Sequence, residues 1–414
     1  MESFQGAAMH RVSKSFWSVI LVSVFSSLGL HAADDDKIGD YFENLPSSVR
    51  DSIIEVAQVT VPSYPNRPVG VDIVDELNIS CRGLAVYSRD SSGKIQKPTV
   101  KCSYSREDSF DGMTSKFKCK FPTADGGSVK AKVKYAKSLS GSGKELAPAA
   151  LVSGLSRLLG FVSDAYCPAV VVCEGCSADP WSEMNRSSAP PLANVVNTFE
   201  YAVIEAKVEG LKVSEPRNGA AKPLGLAWGD LAMVSEGLSD YEKHALLANR
   251  EALMLWMNFI YHGDADTHNN RLICQQWSIP SGGTPRCEQS VGYVHDYGDA
   301  FFKTNLTKYR NVTVFRTSLI EVPHRWFNKC VGTLGGGEGA IRAAAYSEEA
   351  RLNFLDRFSN ISHQQLVDFL TLAQVDAISG NSIDEWIGEF NKKLGEVRKS
   401  RCDSLRSGDT VLSR

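Results

Sequence analysis

No apolar run in this 414-residue chain reaches the ~18–20 residues that a helix needs to cross a bilayer, which excludes a multispanning membrane protein. Positive charge is not in surplus either. With 45 Lys and Arg against 48 Asp and Glu, the net charge of −3 argues against a dominant nucleic-acid footprint. No internal repeat is visible. A second Cys-x-x-Cys or a His-x-x-x-His that would complete a zinc site around Cys173 and Cys176 is missing as well. What is present, 43% hydrophobic and 22% charged residues, suits a folded protein of one large or two ordinary domains.

Arg11 and Lys14 precede an apolar stretch over residues 16–30, followed by His31-Ala32-Ala33 and three aspartates. This pattern predicts a secretory signal peptide over residues 1–33 and hence an exported protein, periplasmic or secreted. No cysteine stands at the cleavage site, so no stable membrane anchor is expected. All ten cysteines follow that point, and an even number in an exported chain favours disulfides. Cys102 and Cys119 flank one expected hairpin, and Cys274 and Cys287 another. Cys173 and Cys176 read as a disulfide in preference to half a zinc site.

Residues 34–70 read as an N-terminal helix, broken at Pro46, and a Pro-rich linker. Residues 71–208 read as strand-rich with one helix, residues 209–403 as mainly helical, and 404–414 as a tail. Late helices open on capping boxes at Ser362/Gln365 and Ser382/Glu385. The glycine-rich residues 334–339 read as a connector with no strand before it. Strands first and helices afterwards predict an α+β fold in two lobes.

Two stretches carry the chemistry. One, residues 261–271, includes His262, Gly263, Asp264, Asp266, His268 and Asn269 and follows an apolar helix directly. The other, residues 293–301, holds His295-Asp296-Tyr297-Gly298 at the end of a strand. Acidic loops at two strand edges can converge on one Mg²⁺, which prefers hard oxygen ligands. Alternation over residues 129–135 also puts Lys130, Lys132 and Lys134 on one strand face, and Lys116, Lys118 and Lys120 repeat the pattern.

His262-Gly263-Asp264 with Asn269 resembles the protein-kinase catalytic loop, and Asp296-Tyr297-Gly298 resembles its Asp-Phe-Gly motif. Residues 130–402 also resemble a group of exported bacterial proteins with a protein-kinase-like fold. The segments carrying that likeness are Lys132–Tyr135, Leu159–Phe161, Cys173–Pro180, His262–Asp264 and Asp296–Gly298. The resemblance implies a two-lobed, kinase-like phosphotransferase that moves a phosphoryl or nucleotidyl group from a Mg²⁺-nucleoside triphosphate to a protein or small-molecule acceptor. It implies that Asp264 orients the attacking hydroxyl, that Asn269 and Asp296 hold the metal, and that Lys134, or else Lys132, meets the donor phosphates.

The sequence departs from that pattern at several points. Asp266 stands where kinases usually carry Lys, no Gly-x-Gly-x-x-Gly loop is present, and the helix acid is replaced by Ala149, with Glu145 one turn earlier. Asp266 and His268 match a second start, the Asp-x-His of lipid and toxin kinases, but Arg271 falls where its Asn belongs. Two other readings follow from the same residues. One is a pseudokinase or binding module. The other is a metal-dependent hydrolase built on His262, Asp264, Asp266 and His268, with His295 or His324 in support.

Overall fold

The computed structural model describes residues 32–61, 71–106, 114–123, 126–138, 145–184, 194–214, 225–260, 262, 269–281, 283–300, 330–334, 341–379 and 381–402. Helices α1 (Ala32–Glu43) and α2 (Ser47–Val56) are separated at Pro46 as expected, because proline is tolerated at a helix start but not inside one. Next comes α3 (Ile73–Ser80), where the alternation had suggested strands. Asp72 caps it by accepting from the Val74 N–H at 2.9 Å, and Ile73 and Leu77 bury one face. The i, i+4 spacing behind an aspartate was the signal.

A small ribbon of β1 (Ser88–Arg89) and β2 (Ile95–Gln96) precedes the main sheet. That sheet consists of β3 (Thr99–Ser105), β4 (Lys116–Pro122), β5 (Ser128–Ala136), β6 (Ala165–Glu174) and β7 (Val196–Ala206). They close into a barrel in the order β3-β4-β5-β7-β6, with only the β3–β6 closure parallel. Phe117, Tyr135 and Phe199 pack inside with ring centroids 4.8 to 5.5 Å apart, and the Cys102–Cys119 disulfide joins β3 to β4. Between β5 and β6 runs α4 (Leu146–Leu158), apolar almost all round and buried along nearly its whole length. With α3, α4 and the short α5 (Pro180–Met184), the described residues of 71–208 hold three helices where one was expected.

Beyond the barrel, β8 (Leu211–Val213), β9 (Asn270–Ser278) and β10 (Arg286–Val294) form a second sheet in the order β10-β9-β8. Cys274–Cys287 staples its hairpin, and Cys173–Cys176 is also a disulfide. The long α6 (Asp240–Phe259) begins on a capping box, Ser239 with Glu242. It packs against α7 (Glu348–Ser359), which is followed by α8 (His363–Leu372), α9 (Val375–Ser379) and α10 (Ile383–Lys399). A strand, β11 (Val331–Leu334), does precede the glycine-rich stretch, but it pairs with β12 (Ile341–Ala345). Among the described residues, no helix N-terminus of the kind a phosphate loop requires follows β11 before β12.

The segment after α2 crosses between the two sheets. The Gln58 N–H donates to the Ser290 carbonyl at 3.0 Å, while the Val162 N–H donates to the Val59 carbonyl at 2.9 Å. Fully buried Arg250 of α6 fastens it by donating to the Ala57 carbonyl at 2.8 Å. One apolar core, from Ile38 to Val397, runs through barrel, α4, α6 and the last helices, giving mixed α+β architecture.

Candidate active site

Antiparallel β9 and β10 are irregular around Gln289 but pair regularly from Ser290 opposite Cys274 onward, so Asn270 lies opposite Val294 at the open end of the hairpin. One step further, the His295 N–H donates to the Asn269 carbonyl at 2.8 Å. Asn269 and Asp296, 27 positions apart, therefore sit at one end of one hairpin. Asp296 adopts a left-handed backbone conformation (φ 55°, ψ 82°), which Asp tolerates better than most residues. Its carboxylate caps a single 3₁₀ turn (Tyr297–Asp299) by accepting from the Gly298 N–H at 3.3 Å.

The barrel supplies the opposing cation. Lys134 Nζ donates to Asp296 Oδ1 at 2.6 Å. The lysine side chain is buried, yet the aspartate side chain remains 32% exposed, so one edge of the carboxylate faces outward. Burial alone would raise the Asp296 carboxyl, but the Lys134 ammonium, then His295 and the Gly298 N–H, hold it below the usual carboxylate range. For Lys134 the same logic inverts. Burial pulls its pKa down, and Asp296, Glu205 and Glu145 outweigh that and raise it. Both groups stay charged.

Register makes this face strongly basic. On β4 and β5, Lys116 lies directly opposite Lys134, Lys118 opposite Lys132 and Lys120 opposite Lys130. Opposed like charges oppose pairing, so the ladder is held by its neighbours. Lys132 binds Glu205 at 2.9 Å, and Lys116 stands 5.5 Å above the Trp181 ring. Lys134 is therefore the lysine that reaches Asp296, while Lys132 is committed to Glu205.

Glu145 stands at the N-cap position of α4 without a side-chain cap bond, and α4 packs against the 3₁₀ turn after Asp296. A Cβ on Gly298 would lie 3.2 Å from Glu145 Oε2 and 3.3 Å from Asp296 Oδ1, so both carboxylates crowd that glycine. Burial raises the Glu145 carboxyl, partly offset by Lys134. Lys134 is ion-paired with Asp296, and Glu145 acts on it at longer range. His262 is described along with Asn269 in its loop. Its ring packs on Tyr297 with centroids 5.6 Å apart, and burial pushes its pKa down to about 4, leaving the imidazole neutral. Asp264, Asp266 and His268 lie outside the described residues, as does His324.

Beside Lys132 lies a group that the sequence did not single out, Asp164, Glu205 and His295, whose ligating atoms fall within 4.8 Å of one another. Asp164, between α4 and β6, accepts from the Val208 N–H at 2.7 Å and the Tyr293 hydroxyl at 3.0 Å, and bonds His295 Nδ1. Glu205 is fully buried in the apolar end of β7. A lone acid within the run Ala202-Val203-Ile204-Glu205-Ala206 was the available signal.

No protein-family model matches the sequence, and no curated protein matches it. Among solved structures, the chain is similar to a Helicobacter pylori proinflammatory kinase, CtkA, at 10% identity and a TM-score of 0.40, covering 73% of this chain and 99% of that one. It is also similar to the Rio2 kinase of Chaetomium thermophilum, a structure containing ADP, Mg²⁺ and phosphoaspartate. There the identity is 10% and the TM-score 0.23, covering 88% of this chain and 98% of the other.

Proposed function

We propose that this protein is a kinase-like phosphotransferase that takes a Mg²⁺-nucleoside triphosphate as donor and has a two-lobed arrangement around the Asp296 site. The observation that carries the reading is the 2.6 Å contact between Lys134 and Asp296, made across 162 positions by a barrel strand and a hairpin end. The donor set fits a hard divalent ion. Asp296 is ionised with an open edge, and Asn269 stands at the same hairpin end. Asp296 and Asn269 would hold such an ion, which would supply positive charge against the donor phosphates.

The chain's own residues do the remainder. Lys134, whose ammonium lies 2.6 Å from Asp296, would offer its positive charge to the donor phosphates. The lysine face of β4 and β5 supplies further positive charge where a glycine-rich loop is lacking. Glu205 and Glu145, the other acids that act on Lys134, keep its ammonium charged, and Asp264 takes the role of orienting the acceptor hydroxyl. The acceptor is a protein or small molecule carrying such a group, and the setting is extracytoplasmic, as the N-terminal pattern suggests.

A specific feature favours a second reading. Lys134 and Asp296 satisfy each other, which a pseudokinase used as a binding module would retain. Thermal shift with ATP, with and without Mg²⁺, on wild type, Lys134→Met and Asp296→Asn separates the two. An Mg²⁺-dependent rise in Tm in wild type, lost in both variants, is expected. At a hundred-fold excess over Kd, ligand adds about 2.7 kcal/mol of stability. No shift with any nucleotide favours the binding module, and stoichiometric zinc in the purified protein favours the hydrolase.

A further inference from the structure

We propose that Asp164 is a positioning residue that aims Asp296 at its metal by clamping His295. The inference rests on the phosphotransferase reading of the Asp296 site. His295 is the residue immediately before Asp296, and it is held at two points. Its backbone N–H is bonded to the Asn269 carbonyl at 2.8 Å, and its ring Nδ1 to the Asp164 carboxylate. Asp164 is itself immobilised, 1% exposed, by the Val208 N–H and the Tyr293 hydroxyl. Tyr293 belongs to β10, so the clamp closes on the strand that ends two residues before Asp296.

The consequence is geometric. With His295 fixed by ring and backbone, the left-handed turn at Asp296 starts from an anchored residue, and its carboxylate meets Lys134 at 2.6 Å. Partners of this kind behind a metal ligand typically cost 10–100-fold in metal affinity or activity when removed. The triad with Glu205 has the composition of a cation site of its own, but both carboxylates already have partners. Lys132 sits 2.9 Å from Glu205, and His295 Nδ1 faces Asp164. A clamp needs no ion there.

The test compares wild type, Asp164→Ala and Asp164→Asn in two titrations with a fluorescent ATP analogue, one varying Mg²⁺ and one without metal. Asp164→Ala is expected to raise the Mg²⁺ concentration at half-saturation 10–100-fold, with metal-free nucleotide affinity held within two-fold. Asp164→Asn, which keeps an acceptor for Val208 and Tyr293, is expected to lose less. Amide exchange over residues 294–298 should quicken in Asp164→Ala.

An unchanged Mg²⁺ half-saturation in folded Asp164→Ala overturns the inference, as does an equal fall in both affinities. So does a stoichiometric metal carried by wild type and lost from the variant. If Asp164→Ala does not fold, Asp164→Asn decides on the same titrations, with at least a three-fold rise required. A wild type that binds no nucleotide with Mg²⁺ fails the phosphotransferase reading and this inference together. A responsive wild type with unresponsive variants fails this inference alone.

Discussion

Lys134 and Asp296 are unequal partners, because one is enclosed and the other is partly open. Asp296→Ala strands an ammonium inside the protein, which generally costs about 3 kcal/mol or more, though Glu205 and Glu145 nearby soften it. Lys134→Met leaves a carboxylate that water reaches, and should cost less than half as much in urea denaturation. Equal losses from the two substitutions would show that the pair is not asymmetric. Gly298→Ala adds a methyl group against Glu145 and Asp296, and overpacking of this kind costs about 1–3 kcal/mol. Glu145→Ala in the same chain should recover most of that loss, a coupling that a double-mutant cycle reads directly.

Elements place these side chains, and α6 does so through its end. Lys393 of α10 is buried and donates to the Phe259 carbonyl at 3.0 Å, capping α6 three residues before His262. Burial pushes the Lys393 pKa down to about 8. The unfolded chain therefore holds more protons than the folded one between about pH 8 and 10.5, and this residue makes stability rise with pH across that window. Its burial cost, fully present below pH 8, amounts to about 3 kcal/mol. Lys393→Met should flatten that rise in Tm-against-pH profiles, and a profile parallel to wild type would discard the assignment.

Much of this level was legible in the sequence. The apolar helix expected directly before residue 261 is α6, and serines three residues before Gln365 and Glu385 marked α8 and α10. The helix α3 was hidden because it lies in a stretch whose alternation reads as strand, and eight residues carry little periodic signal.

Across the whole molecule, five disulfides close loops of very different length, and no free cysteine remains among the described residues. Cys81–Cys167 spans 86 positions, whereas Cys274–Cys287 spans 13. Chain-entropy reasoning gives losses of about 4.5 and 3 kcal/mol when each pair is replaced by alanine. Melting of the two double variants checks the order, with Cys81→Ala/Cys167→Ala expected to be the less stable.

At this scale the site was only partly readable. Motif spacing drew attention to Asp296 and Asn269, and strand parity to Lys134. The partnership of Asp164 with His295 joins residues 131 positions apart, a relation with no local imprint. The short crossing after α2, hydrogen-bonded to the hairpin on one side and to the α4–β6 turn on the other, has a mechanical consequence. Barrel and hairpin are riveted along that edge, so any breathing of the molecule around a guest must swing open at the far edge, like a book held at its spine.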